Sequence, residues 1–202
     1  MSFRYVGDSG MDETINQALE ITNVARGSVV PVLSFEALDD SHQVLPQVKV
    51  STVYGSDRGT LVAPPGMSYD ILRFSGPREH DVADVRVTVK STAVARIPAG
   101  IHEVTTQALD SQGREIERFE RFAAVRVTNE DGQPVSVRIA YILWDQPPAG
   151  VTQQAVEVTP VGGLTVIPPH GTAVVKVTGE AAAAVARNSN GPAVSIKAYN
   201  SQ

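Results

Sequence analysis

The sequence predicts an all-β fold of two tandem β-sandwiches from an internal duplication. Three observations predict it. A proline corner occurs twice, as Leu61-Val62-Ala63-Pro64-Pro65-Gly66 and as Leu164-Thr165-Val166-Ile167-Pro168-Pro169-His170-Gly171, about half the chain apart. Apolar and polar residues alternate with a period of two in segments such as Val85-Arg86-Val87-Thr88-Val89-Lys90, the pattern of a strand with one face buried. Clusters of Gly, Asn, Asp and Ser punctuate these segments.

In chain order, Phe3–Val6 reads as a short strand and 7–10 as a turn. Residues 12–22 fit either a helix capped by Asp12 or a strand beginning at Ala18; the strand is preferred. Val29–Leu38 is apolar on both faces, as a buried central strand would be, although Pro31 sits uneasily in one. Val48–Tyr54 alternates, 55–59 is a turn by composition, and Tyr69–Phe74 follows the first proline corner. A polar loop over 75–84 leads to Val85–Lys90, expected to turn its three valines inward.

Ile97-Pro98-Ala99-Gly100 marks the joint, giving domains of 1–96 and 97–202. The second half repeats the order of the first. Val104–Leu109 is a strand, 110–113 a turn, and Ile116–Thr128 one long strand with a bulge, because Ile116 and Phe119 fall out of a period of two. Asn129–Gly132 is a tight turn, and Val135–Trp144 pairs back. Val156-Glu157-Val158 leads to the second corner, the alanine-rich 180–192 favours a turn of helix, and Val194–Tyr199 closes the chain. Ile21-Thr22-Asn23 matches Val127-Thr128-Asn129 beyond the corner itself, with the length differences falling in loops.

At 202 residues, halves of about 100 residues suit an immunoglobulin-like sandwich and bury a core without staples. A 42% hydrophobic and 19% charged composition is that of a soluble folded chain. The net charge of −5 argues against a nucleic-acid partner. No run of apolar residues reaches a membrane span, so no membrane insertion is expected. Met1–Asp8 has no basic stretch followed by an apolar one, so it is not read as a signal peptide; a cytoplasmic location follows if the chain is complete. With no cysteine there is neither disulfide nor thiolate chemistry.

The order of the second half carries a resemblance. Val125-Arg126-Val127-Thr128-Asn129, Pro134, a Val-x-Val strand, Trp144-Asp145, Val156–Pro160 and Leu164–Pro168 before the final strands resemble the PapD-like and major-sperm-protein-like branch of immunoglobulin-like domains. The first half keeps this skeleton more loosely. The resemblance implies a fold, and many functions share that fold. Two such domains are also similar in layout to the periplasmic pilus chaperones, from which the chain departs in lacking a signal peptide and an identifiable Arg/Lys pair to anchor a carboxylate.

No catalytic, cofactor or metal site emerges. His42, His80, His102 and His170 are scattered, without a spacing that zinc would use. Glu79-His80-Asp81 reads as loop charge. Asp8, Asp12 and Glu13 lack the spacing of a calcium loop, and Asn129–Gly132 reads as a hairpin turn. There is no nucleophile elbow, P-loop or dinucleotide fingerprint.

The expected function is therefore non-catalytic: a structural or protein-interaction role through sandwich edges and loops, with a protein partner or further copies of the chain. Val85–Lys90 and Val194–Tyr199 are the candidate edges, while Lys90 and Lys197 could serve to discourage aggregation. The alternative is a carbohydrate-binding module that stacks sugar on Trp144, Tyr141 and Tyr54 if these are exposed; burial of Trp144 would count against it. A hydrolase with a site assembled from distant loops would need a deep cleft between the halves that brings one of the four histidines within about 3 Å of a serine or an acid.

Overall fold

The computed structural model describes residues 1–7, 17–191 and 193–202. It is an all-β protein, 51% strand with one short helix. The chain divides into two compact units: Met1–Ala95 with Gln146–Gln154, and Arg96–Asp145 with Ala155–Gln202.

In the first unit, β1 (Ser2–Val6), β2 (Ala18–Asn23), β4 (Lys49–Thr52) and β5 (Gly66–Ser75) form a sheet of order β1-β2-β5-β4. β3 (Val29–Leu38) and β6 (Asp84–Val94) form a separate ribbon. Leu19 and Ile21 of β2 are buried on one face, as alternation requires, and Ile71 of β5 is buried too, while Val30 and Leu33, on opposite faces of β3, show that both faces of that strand are covered. Residues 75–83 form a loop with a single 3-10 turn at Glu79–Asp81.

The strand from Ala18 is present; the alternative helix and the turn at 7–10 fall largely outside the described residues. β3 is not central, because among the described residues β6 is its only strand neighbour. Its other flank meets loop backbone: Val29 exchanges hydrogen bonds with Ala63, and Leu33 N–H donates to Ser56 O. Pro31, in step with Val29, turns its nitrogen to this flank, so it removes no bond from the β3–β6 ladder. The first proline corner is preceded only by isolated bridges, among them Val29 with Ala63, rather than by a strand.

In the second unit, β7 (Thr105–Leu109), β8 (Glu115–Ile116), β9 (Ala124–Thr128) and β12 (Thr172–Lys176) form the order β12-β9-β7-β8. β10 (Val135–Trp144), β11 (Ala155–Ile167) and β13 (Val194–Asn200) form the order β11-β10-β13. Val125 and Val127 from one sheet and Val137, Ile139 and Tyr141 from the other share one core. Helix α1 (Gly179–Asn188) adds Ala181, Ala184 and Val185 to that core, which is why the alanine-rich segment becomes helical. The long strand expected over 116–128 is broken: Glu120 N–H donates to Glu117 O in a turn, and Asn190 N–H donates to Phe119 O.

The two units share a backbone device. Asn23 Nδ2 donates to Gly27 O and Ala63 O, at 3.0 and 3.1 Å, while Asn23 Oδ1 accepts Ala25 N–H at 2.9 Å. Asn129 Nδ2 donates to Gln133 O and Pro168 O, and its Oδ1 accepts Asp131 N–H, all at 2.9 Å. Each buried asparagine ties the turn that follows it to a proline corner about forty residues away. Past each corner one residue has positive φ, Gly66 at 93° and His170 at 48°.

Candidate interaction surface

β6 begins as expected and then departs. Val85 is buried and Val87 half-buried, but Val89 is 42% exposed and every residue from Thr88 to Val94 faces solvent. The three valines do not all turn inward, because no strand among the described residues covers this part of the ribbon. The register shift that pairs Val32 with Ser91 and Leu33 with Val89 leaves Lys90 as a bulged residue.

The ladder shows which backbone groups lie on the outer edge. Leu33 N–H and Ala37 O bond to Ser56 and Leu45, away from β6. Val89 and Val85, their register partners, therefore turn their own N–H and C=O away from β3, and Val87 does the same. Asp84 Oδ1 accepts Val85 N–H at 2.7 Å. Among the described residues no partner takes the backbone groups of Val87 or Val89.

The corresponding edge of β13 is closed. Trp144 N–H donates to Ala193 O, so Val194 and Ile196 face outward from β10. Arg118 Nε donates to Val194 O at 3.0 Å, and Thr106 Oγ1 donates to Ile196 O at 2.8 Å. Lys197 stands 3.8 Å from Glu103, whereas Lys90 makes no ion pair among the described residues.

No family model matches this chain, and no curated protein or solved structure matches it.

A groove of about 460 Å³ lies beside the first half of β6, lined by Phe3, Arg4 and Tyr5 of β1, by Asp84, Val85 and Val87 of β6, and by Asp39, Asp40 and His42 of the turn after β3. Tyr5 donates its hydroxyl proton to Gln17 Oε1. Burial raises the Tyr5 pKa, and the nearby Asp84 carboxylate raises it further. At neutral pH the groove thus presents a neutral phenol.

The aromatic residues expected to form a sugar platform are all buried: Trp144 is 8% exposed, Tyr141 2% and Tyr54 1%. Trp144 Nε1 donates to Ser195 Oγ, Tyr141 packs edge-on to Phe122, and Tyr54 lies against Tyr69. None of the three offers an open ring face for stacking.

The histidines do not converge. His80 lies 3.7 Å from Glu79, His102 Nδ1 lies 2.6 Å from Asp131 Oδ1, and His42 and His170 occupy turns with positive φ. Among the described residues no three His, Asp or Glu side chains are placed to hold a metal. The acidic loop at Asp8–Glu13 lies outside the described residues. No described helix is long and apolar enough to cross a membrane.

Asp70 is a charged group that sequence reasoning passed over. It is completely buried, with Tyr54 N–H and Ile71 N–H donating to Oδ1 and Ser56 N–H donating to Oδ2. Burial raises its pKa, opposed by those donors. All three donors belong to the chain's own backbone, so its role is to hold the segment after β4. The sequence signal was an acid immediately before the apolar pair Ile71-Leu72 in the middle of a strand.

Proposed function

We propose that this chain is a non-catalytic protein-interaction module made of two immunoglobulin-like sandwiches, and that it binds other protein by strand addition to the outer edge of β6. The open backbone of Val87 and Val89 carries the reading. An added strand satisfies these groups and covers valines that now meet water. The closed edge of β13 supplies the contrast: where Thr106 and Arg118 occupy the edge carbonyls, no strand is needed.

The duplication is supported by the matched asparagine bonds at Asn23 and Asn129 and by the pairings β2–β5 and β3–β6, which correspond to β9–β12 and β10–β13. A short peptide of alternating Val and Thr tests the edge. Titrated into isotopically labelled protein, it is expected to shift the amide resonances of Val87 and Val89 and to slow their hydrogen exchange. Unmoved resonances at both positions, with peptide in large excess, would remove the edge as the working surface.

A further inference from the structure

We infer that the strand added to β6 is β6 of a second copy of this chain, running antiparallel about a two-fold axis at Val87. The inference rests on the reading of β6 as the working edge and adds the identity of the partner.

The register follows from which groups face out. Val85, Val87 and Val89 present their backbone at the edge, so an antiparallel partner must bring outward residues opposite outward residues. A two-fold at Val87 does this throughout. Val87 pairs with Val87 of the partner subunit, and Val85 pairs with Val89 of the partner subunit, with the reciprocal pair on the other side of the axis.

The intervening residues then match in charge. Asp84 falls opposite Lys90 of the partner subunit, and Lys90 opposite the partner's Asp84. Neither Asp84 nor Lys90 makes an ion pair among the described residues, whereas Arg86 is already joined to Glu36 at 2.9 Å. The valines share one face, so Val89 of the partner subunit lies beside Val85, next to the groove bounded by Phe3 and Tyr5. Moving the axis to Val89 loses both charge matches, setting Lys90 against the partner's Thr88 and Asp84 against the partner's Val94. The bulge at Lys90 ends the regular ladder where the paired segment ends.

The chain contains no cysteine, so one introduced thiol reports on one position. Residues paired across the axis at Val87 have Cα atoms about 5.5 Å apart, within the roughly 4.4–6.8 Å that a disulfide spans. Val87→Cys is therefore expected to form a covalent dimer under mild oxidation. Thr92→Cys, displaced from the axis, is expected to remain unlinked.

Light scattering of the unmodified chain should show mass rising toward that of a dimer with concentration. Asp84→Lys and Lys90→Glu each set like charges opposite one another in their own dimers, and each should weaken association about tenfold. Mixing the two variants restores opposite charges at both ends and should restore the dimer. A monomer at every concentration, with Val87→Cys unlinked, overturns the inference. A dimer in which Thr92→Cys links as readily as Val87→Cys, or in which the mixed variants stay monomeric, overturns it as well. If the alternating peptide still binds Val87 and Val89 of a monomeric chain, the edge is a binding surface and self-pairing alone is excluded.

Discussion

Asn23 and Asn129 show how one side chain can hold three separated pieces of backbone. Each is buried with both its amide nitrogen and its oxygen engaged. Replacing either by alanine removes the side-chain bonds that join the turn to the corner and frees the turn, although Ala63 O keeps Val29 N–H and Pro168 O keeps Gly171 N–H. Asn129→Ala is expected to cost about 2–3 kcal/mol in urea denaturation, and Asn23→Ala a similar amount. Near the same corners, Gly66 and His170 occupy the left-handed region. A side chain there is strained, so Gly66→Ala should lose about 1 kcal/mol or more, whereas His170→Gly should be neutral or slightly stabilising. Thermal melts of the two variants check the sign of each. For Asp70 the sign follows from its raised native pKa. The folded chain holds this proton more tightly than the unfolded chain, so the contribution of Asp70 to stability is fully present below the ordinary Asp range and is lost as pH rises through the raised native value. Glu20 and Asp110, whose pKa values are lowered, act in the opposite sense, so the decline is read as the difference in denaturation midpoint between the unmodified chain and Asp70→Asn from acid toward neutral pH.

At the scale of elements, alternation, turn residues and the doubled corner were sufficient to locate β2, β3, β5, β10 and β13. Each of these has its hydrophobic pattern and its punctuation in one continuous stretch. The break between β8 and β9 was not legible, because Ile116 and Phe122 are apolar enough to suggest continuity while the turn at Glu117–Glu120 is made by backbone and by Glu120 Oε1 accepting Glu117 N–H. Nor was it legible which edge is open. β6 and β13 have similar alternation, and the difference lies in Thr106 and Arg118, which are distant from β13 in sequence. The aromatic platform failed for a related reason, since residue type alone cannot separate a stacking surface from a core. Opening β13 should make it behave as β6 does. The double variant Thr106→Val/Arg118→Ala is expected to lose about 1–3 kcal/mol and to gain concentration-dependent association, read as a rise in mass by light scattering.

At the scale of the whole molecule, the first unit is not a continuous half of the sequence. Gln146–Gln154 belongs to it, and Gln154 Oε1 accepts Phe74 N–H at 3.2 Å. A boundary drawn near residue 96 would leave that segment behind. The isolated chain 1–95 should therefore unfold at a lower urea concentration than the first unit does within the full protein. Gln154→Ala should weaken protection of amides in β5 rather than in β10; hydrogen exchange resolves the two.

The returning segment also fixes an order of events during synthesis. The residues that complete the first unit emerge only after most of the next unit's early strands have been made. At ~5–20 residues per second this delay is on the order of seconds. During that interval β3 and β6 are already available while Gln154 has yet to appear, so a nascent chain carries its open valine edge before its own fold is complete. Neighbouring ribosomes on one message would bring such edges together at high local concentration, and chains could meet their copies before either has been released.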